Sequence, residues 1–364
     1  MPDELRLAGS FLLSLIVAGL LVPLAIRLAV RTRFMDVPAG YKGHLRATPY
    51  LGGLAVVVAV SASILTFGVA TSRYGALVIW ALVLFVIGTI DDKRNLSPYP
   101  RLVIQIGAAV ALWHYGLGFG EFGSAMLNLA VTIVWVVGVV NALNLMDNMD
   151  GAASSVAAVS ALGVSAVAII AGDITLAVIV LALAGACTGF LPFNLCTPSR
   201  IFLGDGGSMP LGFVLAGAVM ALPTPSDLGV ARLLAIAPIV GLPILDTTLV
   251  VISRRRGGRP LLSGGRDHLT HRLRALLGSP RLVALAVATA QAGLCITGVL
   301  LAQATVGWVV VVGIAYIGAA CTVIYTLESR VGVIPVASAS GPIGVVPASA
   351  GVRAGVPAAD KLAA

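Results

Sequence analysis

Charge is scarce in this chain. Only 10% of its 364 residues are Asp, Glu, Lys or Arg, where a soluble globular domain carries roughly 25%. That scarcity excludes a water-soluble globule. With 59% hydrophobic residues and a mean hydropathy of +1.03, it indicates an integral membrane protein. Cysteine is scarce too. Cys187, Cys196, Cys295 and Cys321 form no C-x-x-C pair, and three of them sit in apolar runs. They read as small buried hydrophobes, not as a disulfide framework or a thiolate metal site. The first apolar run lacks a small-residue cleavage signal, so it reads as a retained span. No internal repeat is evident, and no insertion is large enough to fold alone.

Apolar runs are what the chain has in abundance. A spanning helix needs about 20 mostly apolar residues. Eleven runs meet or approach that length, at approximately 8–30, 50–70, 74–91, 101–119, 125–146, 152–171, 174–193, 207–222, 229–252, 282–303 and 305–326. The expected fold is all-α, a polytopic membrane helix bundle of about eleven transmembrane helices within residues 1–330. Residues 331–364 are rich in Ala, Val, Gly, Pro and Ser, and are expected to form a disordered tail.

A formal net charge of +8 would suit a nucleic-acid binder, but its distribution argues against one. Eleven spans make the loops alternate between two sides. The loops after odd-numbered runs, with the C-terminus, hold 20 of the 23 Lys and Arg residues. The other side holds Arg6, Arg73 and Arg232. Positive loops mark the cytoplasm, so the N-terminus is expected outside and the C-terminus inside. The basic balance is then topology, and no nucleic-acid partner is implied. Asp36, Asp91, Asp92, Asp147, Asp150, Asp205, Asp246 and Asp267 also fall near the cytoplasmic side.

Polar clusters punctuate that edge. "GTIDDKRNLSP" at 88–98 puts Asp91 and Asp92 at the end of the third run. Adjacent carboxylates repel unless a cation or proton separates them. They are either a solvated pair or part of a site for Mg²⁺, which favours a few carboxylates with phosphate and water oxygens. "NALNLMDNMDG" at 141–151 sets Asn141, Asn144, Asp147 and Asp150 at i,i+3 spacing, one polar ridge if the fifth helix continues. Capping needs one such residue, not four, and acids at membrane depth are functional candidates. "PSRIFLGDGGSMPLG" at 198–212 places Asp205 before two glycines and Ser208. This is either a turn with an N-cap or a cradle whose backbone N–H groups approach phosphate.

The longest loop, at 253–281, carries eight arginines with His268 and His271. No carboxylate or cysteine set completes a zinc site there. Arginine as a bidentate phosphate partner and attraction of a basic loop to anionic lipid both fit. "DVPAGYKGHLRATPYLGG" at 36–53 adds Lys42, His44 and Arg46, with Gly52 and Gly53 permitting close packing. Asp246, in the ninth run, reads as a site acid or as the partner of Arg254 or Arg255. Carboxylates for Mg²⁺, a phosphate-friendly turn and a basic loop on one edge suit phosphoryl transfer. A membrane transporter is the alternative, but transport sites lie near the bilayer midplane in broken helices of repeated halves.

In order along residues 36–273, "DVPAGYKGHLRATPYLGG", "GTIDDKRNLSP" with Gln105 downstream, "NALNLMDNMDG", "FLGDGGSMPLGF" and "RDHLTHRL" resemble the polyprenyl-phosphate N-acetylhexosamine-1-phosphate transferase family, of glycosyltransferase family 4 type. The resemblance implies transfer of a sugar 1-phosphate from a UDP-N-acetylhexosamine to polyprenyl phosphate, with release of UMP. It implies Mg²⁺, with Mn²⁺ as a substitute, held by Asp205 and Asp147. It implies catalytic roles for Asp91, Asp92, Asp147, Asp150 and His268. Substrate binding would fall to Asn144, Phe202 (stacked on uracil), Lys42, His44, Arg266 and His271. The bacterial plasma membrane, an active site facing the cytoplasm and an optional homodimer follow from the same likeness.

The loop "SGGRDHLTHRL" is similar to the UDP-GlcNAc branch rather than to the "PLHHHFE"-like loop of the phospho-N-acetylmuramoyl-pentapeptide transferases, the alternative. Three features depart from the family's pattern. Asn148 stands where many members have Gly. Thr270 replaces the middle histidine of an H-x-H-H motif. "NLCTP" at 194–198 is one residue longer than the common N-x-x-P. None removes a carboxylate, so an active enzyme is expected.

Overall fold

Small residues line one face of α1 (Asp3–Thr32). Ser10, Ser14, Ala18, Val22, Ala25 and Ala29 are buried at three- and four-residue spacing, while Leu12, Ile16, Leu20, Leu24 and Leu28 are exposed. A soluble amphipathic helix has the reverse pattern. Where lipid is the solvent, apolar burial no longer joins helices, and close contact between small residues does.

The computed structural model describes residues 1–37, 47–67, 72–261 and 265–331. After α1 comes a short antiparallel ribbon, β1 (Met35–Asp36) with β2 (Thr48–Pro49), in which Met35 pairs with Pro49 and Asp36 with Thr48. The helices α2 (Gly52–Phe67), α3 (Ser72–Arg94), α4 (Pro98–His114), α5 (Ala125–Met146), α6 (Ala152–Ile170), α7 (Ile174–Asn194) and α8 (Asp205–Ala221) follow. Then come α9 (Arg232–Ile236), α10 (Gly241–Arg256), α11 (Leu269–Leu277), α12 (Pro280–Leu301) and α13 (Val306–Thr326). Among the described residues, each apolar run of the sequence contains helix. Among the described residues, 8 stretches are long and apolar enough to cross a membrane, and α2 and α8 are shorter apolar helices. The chain is an all-α, multi-pass membrane protein. Lys42 and His44 lie outside the described residues, as does the tail from residue 332.

The core lies around α6, α7 and α8. In α6 and α7, 72% of the apolar window is buried, against 17% in α13 at the periphery. The crossing of α1 over α7 depends on a glycine pair at four-residue spacing. A Cβ on Gly185 would stand 2.1 Å from the Phe11 carbonyl oxygen, and one on Gly189 2.3 Å from that of Leu15. Hydroxyls join α1 to α2, with Ser14 donating to the Ala59 carbonyl and Ser63 to that of Ser10, both at 3.1 Å.

The ninth run, expected as one helix, is broken. A 3-10 turn at Ser226–Ala231 precedes α9, and a second at Ala237–Val240 separates α9 from α10. Pro238 has no N–H and interrupts the ladder. Backbone groups freed at membrane depth need protein partners, and Gln291 of α12 supplies them. Its amide nitrogen donates to the carbonyls of Ile239 at 2.8 Å and Pro238 at 3.3 Å, and its oxygen accepts from Leu242 N–H at 3.1 Å. Gln291 is fully buried. Replacing it by Leu should orphan these groups and cost about 1–3 kcal/mol, read as a lower unfolding temperature in detergent.

Candidate active site

The site begins where α3, α5 and α8 end against one another. Asp92, in the last turn of α3, turns its carboxylate onto the start of α8. Its oxygens accept from the N–H of Asp205 at 2.8 Å and of Gly206 at 3.0 Å. This is a helix cap supplied by another helix, since the first N–H groups of α8 have no partner within it. Its negative charge also suits a helix N-terminus. The approach requires bare backbone. A Cβ on Gly88 would stand 2.3 Å from the Asp205 carbonyl oxygen, and one on Gly53 2.4 Å from the Gly207 nitrogen.

The glycines after Asp205 therefore serve packing, which corrects the phosphate-cradle reading. The N–H groups of Asp205 and Gly206 are taken by Asp92, and those of Gly207 and Ser208 by the Gly204 carbonyl.

Arg101, in the first turn of α4, bridges two acids. One guanidinium nitrogen donates to Asp91 at 2.5 Å and to Asp205 at 2.9 Å. Asp91 is buried, and its other oxygen accepts from Leu96 N–H at 2.6 Å. From α5, the Asn144 amide donates to the second Asp205 oxygen at 2.7 Å and to Ser208 Oγ at 2.9 Å. One turn back, Asn141 donates to Gln105 at 2.6 Å. The polar ridge thus reaches inward along α5. Asp147 ends that helix. Burial first, then the charges of Asp205, Asp92 and Asp150, hold its carboxyl well above the usual range against a donor at Gly204. Asp150, on the turn into α6, is half-buried.

The histidine segment forms the other half. His268 caps α11, and its Nδ1 is hydrogen-bonded to Asp246 at 2.9 Å. The Leu269 N–H donates to the other Asp246 oxygen at 2.6 Å. Asp246 is fully buried in α10. It does not pair with Arg254, which lies eight residues on, about 12 Å along the helix. Arg254 instead binds Asp267 through two nitrogens at 2.8 and 3.1 Å. Burial raises the Asp267 carboxyl, but Arg254 outweighs it and the net shift is downward. The His268 and His271 rings stand 6.2 Å apart. Burial, then the positive charges of His268 and Arg266, push His271 down to about 4. The Thr270 hydroxyl donates to Asn148 and so joins this segment to the α5–α6 turn.

Phe202 lies three residues before Asp205, half-buried, with its ring 5.9 Å from that of Tyr50. Its N–H donates to Pro49 at 2.8 Å, which seats it on the ribbon. Asn194 is a strut. It accepts from Gly151 N–H at 2.6 Å and donates to the Ile201 carbonyl at 2.8 Å, tying the acidic turn to the strand of chain before Asp205. Arg101 escaped sequence reasoning; its signal was an arginine one turn into the helix after Asp91–Asp92.

Among the described residues, no three His, Cys, Asp or Glu side chains form a complete metal cage. The donor set fits a cation that takes one or two carboxylates and fills its shell from phosphate and water, as Mg²⁺ does.

A membrane helix bundle with crowded carboxylates joined through Asn148 and Thr270 to an arginine- and histidine-bearing segment has the parts of a phosphotransfer enzyme. The profile of glycosyl transferase family 4 matches residues 74–223. A Bacillus subtilis protein provisionally named undecaprenyl-phosphate N-acetylglucosaminyl 1-phosphate transferase is 29% identical over 84% of this chain and 88% of its own. A Streptomyces coelicolor protein provisionally named a glycosyltransferase is 36% identical over 89% and 75%. The decaprenyl-phosphate N-acetylglucosaminephosphotransferase of Mycolicibacterium smegmatis is 30% identical over 68% and 70%. A phospho-N-acetylmuramoyl-pentapeptide-transferase of Clostridium botulinum matches only 58% of the chain. The chain belongs to glycosyl transferase family 4, on the N-acetylglucosamine phosphotransferase side of it.

Two measurements follow from the geometry. Asp92→Ala should uncap α8 and lower stability by about 0.5–2 kcal/mol, seen in unfolding curves. His271 has a folded pKa of about 4 against an ordinary 6.5, so only the unfolded chain takes up its proton between those values. Stability should fall as pH drops through that window, and His271→Gln should flatten the fall in a pH series of melting temperatures.

Proposed function

We propose that this chain transfers N-acetylglucosamine 1-phosphate from UDP-GlcNAc to undecaprenyl phosphate, as the first membrane step of a cell-envelope glycan. A lipid phosphate oxygen attacks the phosphorus that bears the sugar. The bond from that phosphorus to the UMP oxygen breaks, and the products are polyprenyl-diphosphate-GlcNAc and UMP. The observation that carries this reading is the convergence of Asp91, Asp92, Asp147 and Asp205 on the ends of α3, α5 and α8. Arg101 is the cation that contacts two of them.

Such a group of acids has an excess of negative charge, and two phosphates cannot enter it without a counter-ion. Mg²⁺ bound by Asp205 with Asp147 would neutralise the phosphate oxygens and polarise the phosphorus. Asn144 holds Asp205 in its rotamer, and Arg101 spaces Asp91 from it. Phe202 offers an aromatic face to the uracil. Arg266, His268 and His271 face the diphosphate and sugar, with Asp246 fixing the His268 ring. In the basic loop, Lys42 and His44 complete substrate binding.

The same reading takes all eleven apolar helices as spans. It puts the carboxylate ends in the cytoplasm of a bacterial plasma membrane, on the side that holds 20 of the 23 Lys and Arg residues. Sugar nucleotides are made there, and the lipid tail stays in the bilayer.

Purified protein with undecaprenyl phosphate, Mg²⁺ and a panel of UDP-sugars should release UMP, fastest from UDP-GlcNAc. Asp205→Asn should lower kcat at least about 100-fold, the size of loss seen when a group stabilising transition-state charge is removed. Absence of UMP release from the wild-type protein with every donor would overturn the proposal.

A further inference from the structure

The two halves of the site are joined by a side-chain pair far apart in sequence. Asn148 follows Asp147 in the turn between α5 and α6. Thr270 lies two residues after His268, in the first turn of α11. The Thr270 hydroxyl donates to Asn148 Oδ1. The Asn148 amide nitrogen is already committed to the Leu145 carbonyl at 2.6 Å, which turns its oxygen toward Thr270. Thr270 is fully buried, so its hydroxyl has no bulk water to bond instead, and an unpaired buried hydroxyl is costly.

These are also two of the three places where the sequence departs from the motifs it otherwise follows. The departures are complementary. A glycine at 148 would have no side chain to accept the bond, and Asn148 supplies the acceptor that the Thr270 hydroxyl needs.

We propose that Asn148 and Thr270 are a pair of positioning residues that set the distance between the His268 imidazole and the carboxylates at the end of α5. Asp246 fixes the orientation of the His268 ring and the start of α11 relative to α10. Arg254 does the same for Asp267. Neither contact refers the segment to α5. The Asn148–Thr270 bond does, because Asn148 is covalently next to Asp147 and two residues before Asp150. Both side chains act through their neighbours and not on substrate. The inference rests on the transferase reading given above.

Thr270→Val keeps the shape of the side chain and deletes the hydroxyl. It should lower kcat about tenfold, the worth of one buried hydrogen bond, while KM for UDP-GlcNAc stays within about twofold. Thr270→Ser restores the donor and should recover most of the lost kcat. Asn148→Ala should match Thr270→Val. The double variant should be no worse than either single one, since both remove the same bond. Unchanged kcat in Thr270→Val, or losses that multiply in the double variant, would overturn the pair. Thermal unfolding of the same four proteins gives a second cycle that needs no turnover. Coupling there is expected, and its absence would remove the contact itself. If the wild-type protein releases no UMP, the transferase reading and the positioning role fall together, whereas an active wild type with an uncoupled pair sinks the inference alone.

Discussion

Two backbone N–H groups at the start of α8 depend on one carboxylate from α3. In water they would be solvated. Beside the core of a membrane bundle they need a partner from the protein, and Asp92 is that partner. The contact holds α8 against α3, which puts Asp205 within reach of Arg101 and Asn144. A helix end that had to be closed from outside thus becomes the place where acids from three helices gather. Gly88 and Gly53 belong to the same arrangement, because any side chain there would hold α8 away.

Electrostatics then explains why the cluster is held so firmly. Like charges close together raise one another's affinity for protons or cations, and Asp147 feels Asp205, Asp92 and Asp150 at once. The protein offsets part of this with Arg101 and with amide donors. Stability alone would favour fewer acids. A residual negative field at a membrane edge is useful if a divalent cation and a diphosphate are to be brought together there, and that links the packing of α8 to the proposed transfer.

The histidine segment follows the same logic with the signs reversed. Its rings and guanidiniums are held by buried acids, Asp246 under His268 and Asp267 under Arg254. Each acid fixes its partner's orientation within the segment. Gln291 plays the corresponding part for the broken ninth segment, where Pro238 prevents a continuous helix. In each case a buried polar side chain is explained by a backbone or charged group that has nowhere else to turn.

Hydropathy alone marked every long helix, because lipid solvation demands runs of apolar residues whatever their neighbours. The acids of the cluster were equally legible: Asp91, Asp92, Asp147 and Asp205 stand out against so little other charge. Sequence spacing also put Asn144 and Asp147 on one ridge. What it could not assign was partnership. The glycines after Asp205 read equally as a turn with an N-cap or as a phosphate cradle, and only the folded chain shows their N–H groups taken by Asp92 and Gly204. Asp246 read as a possible mate for Arg254, yet helix geometry keeps them apart and packing brings His268 instead. Arg101 looked like one more cytoplasmic charge until α4 folded back toward α8. Composition and local pattern determine which groups must avoid lipid and which segments are helical. Which donor meets which acceptor depends on contacts between residues a hundred positions apart, and only the tertiary structure decides those.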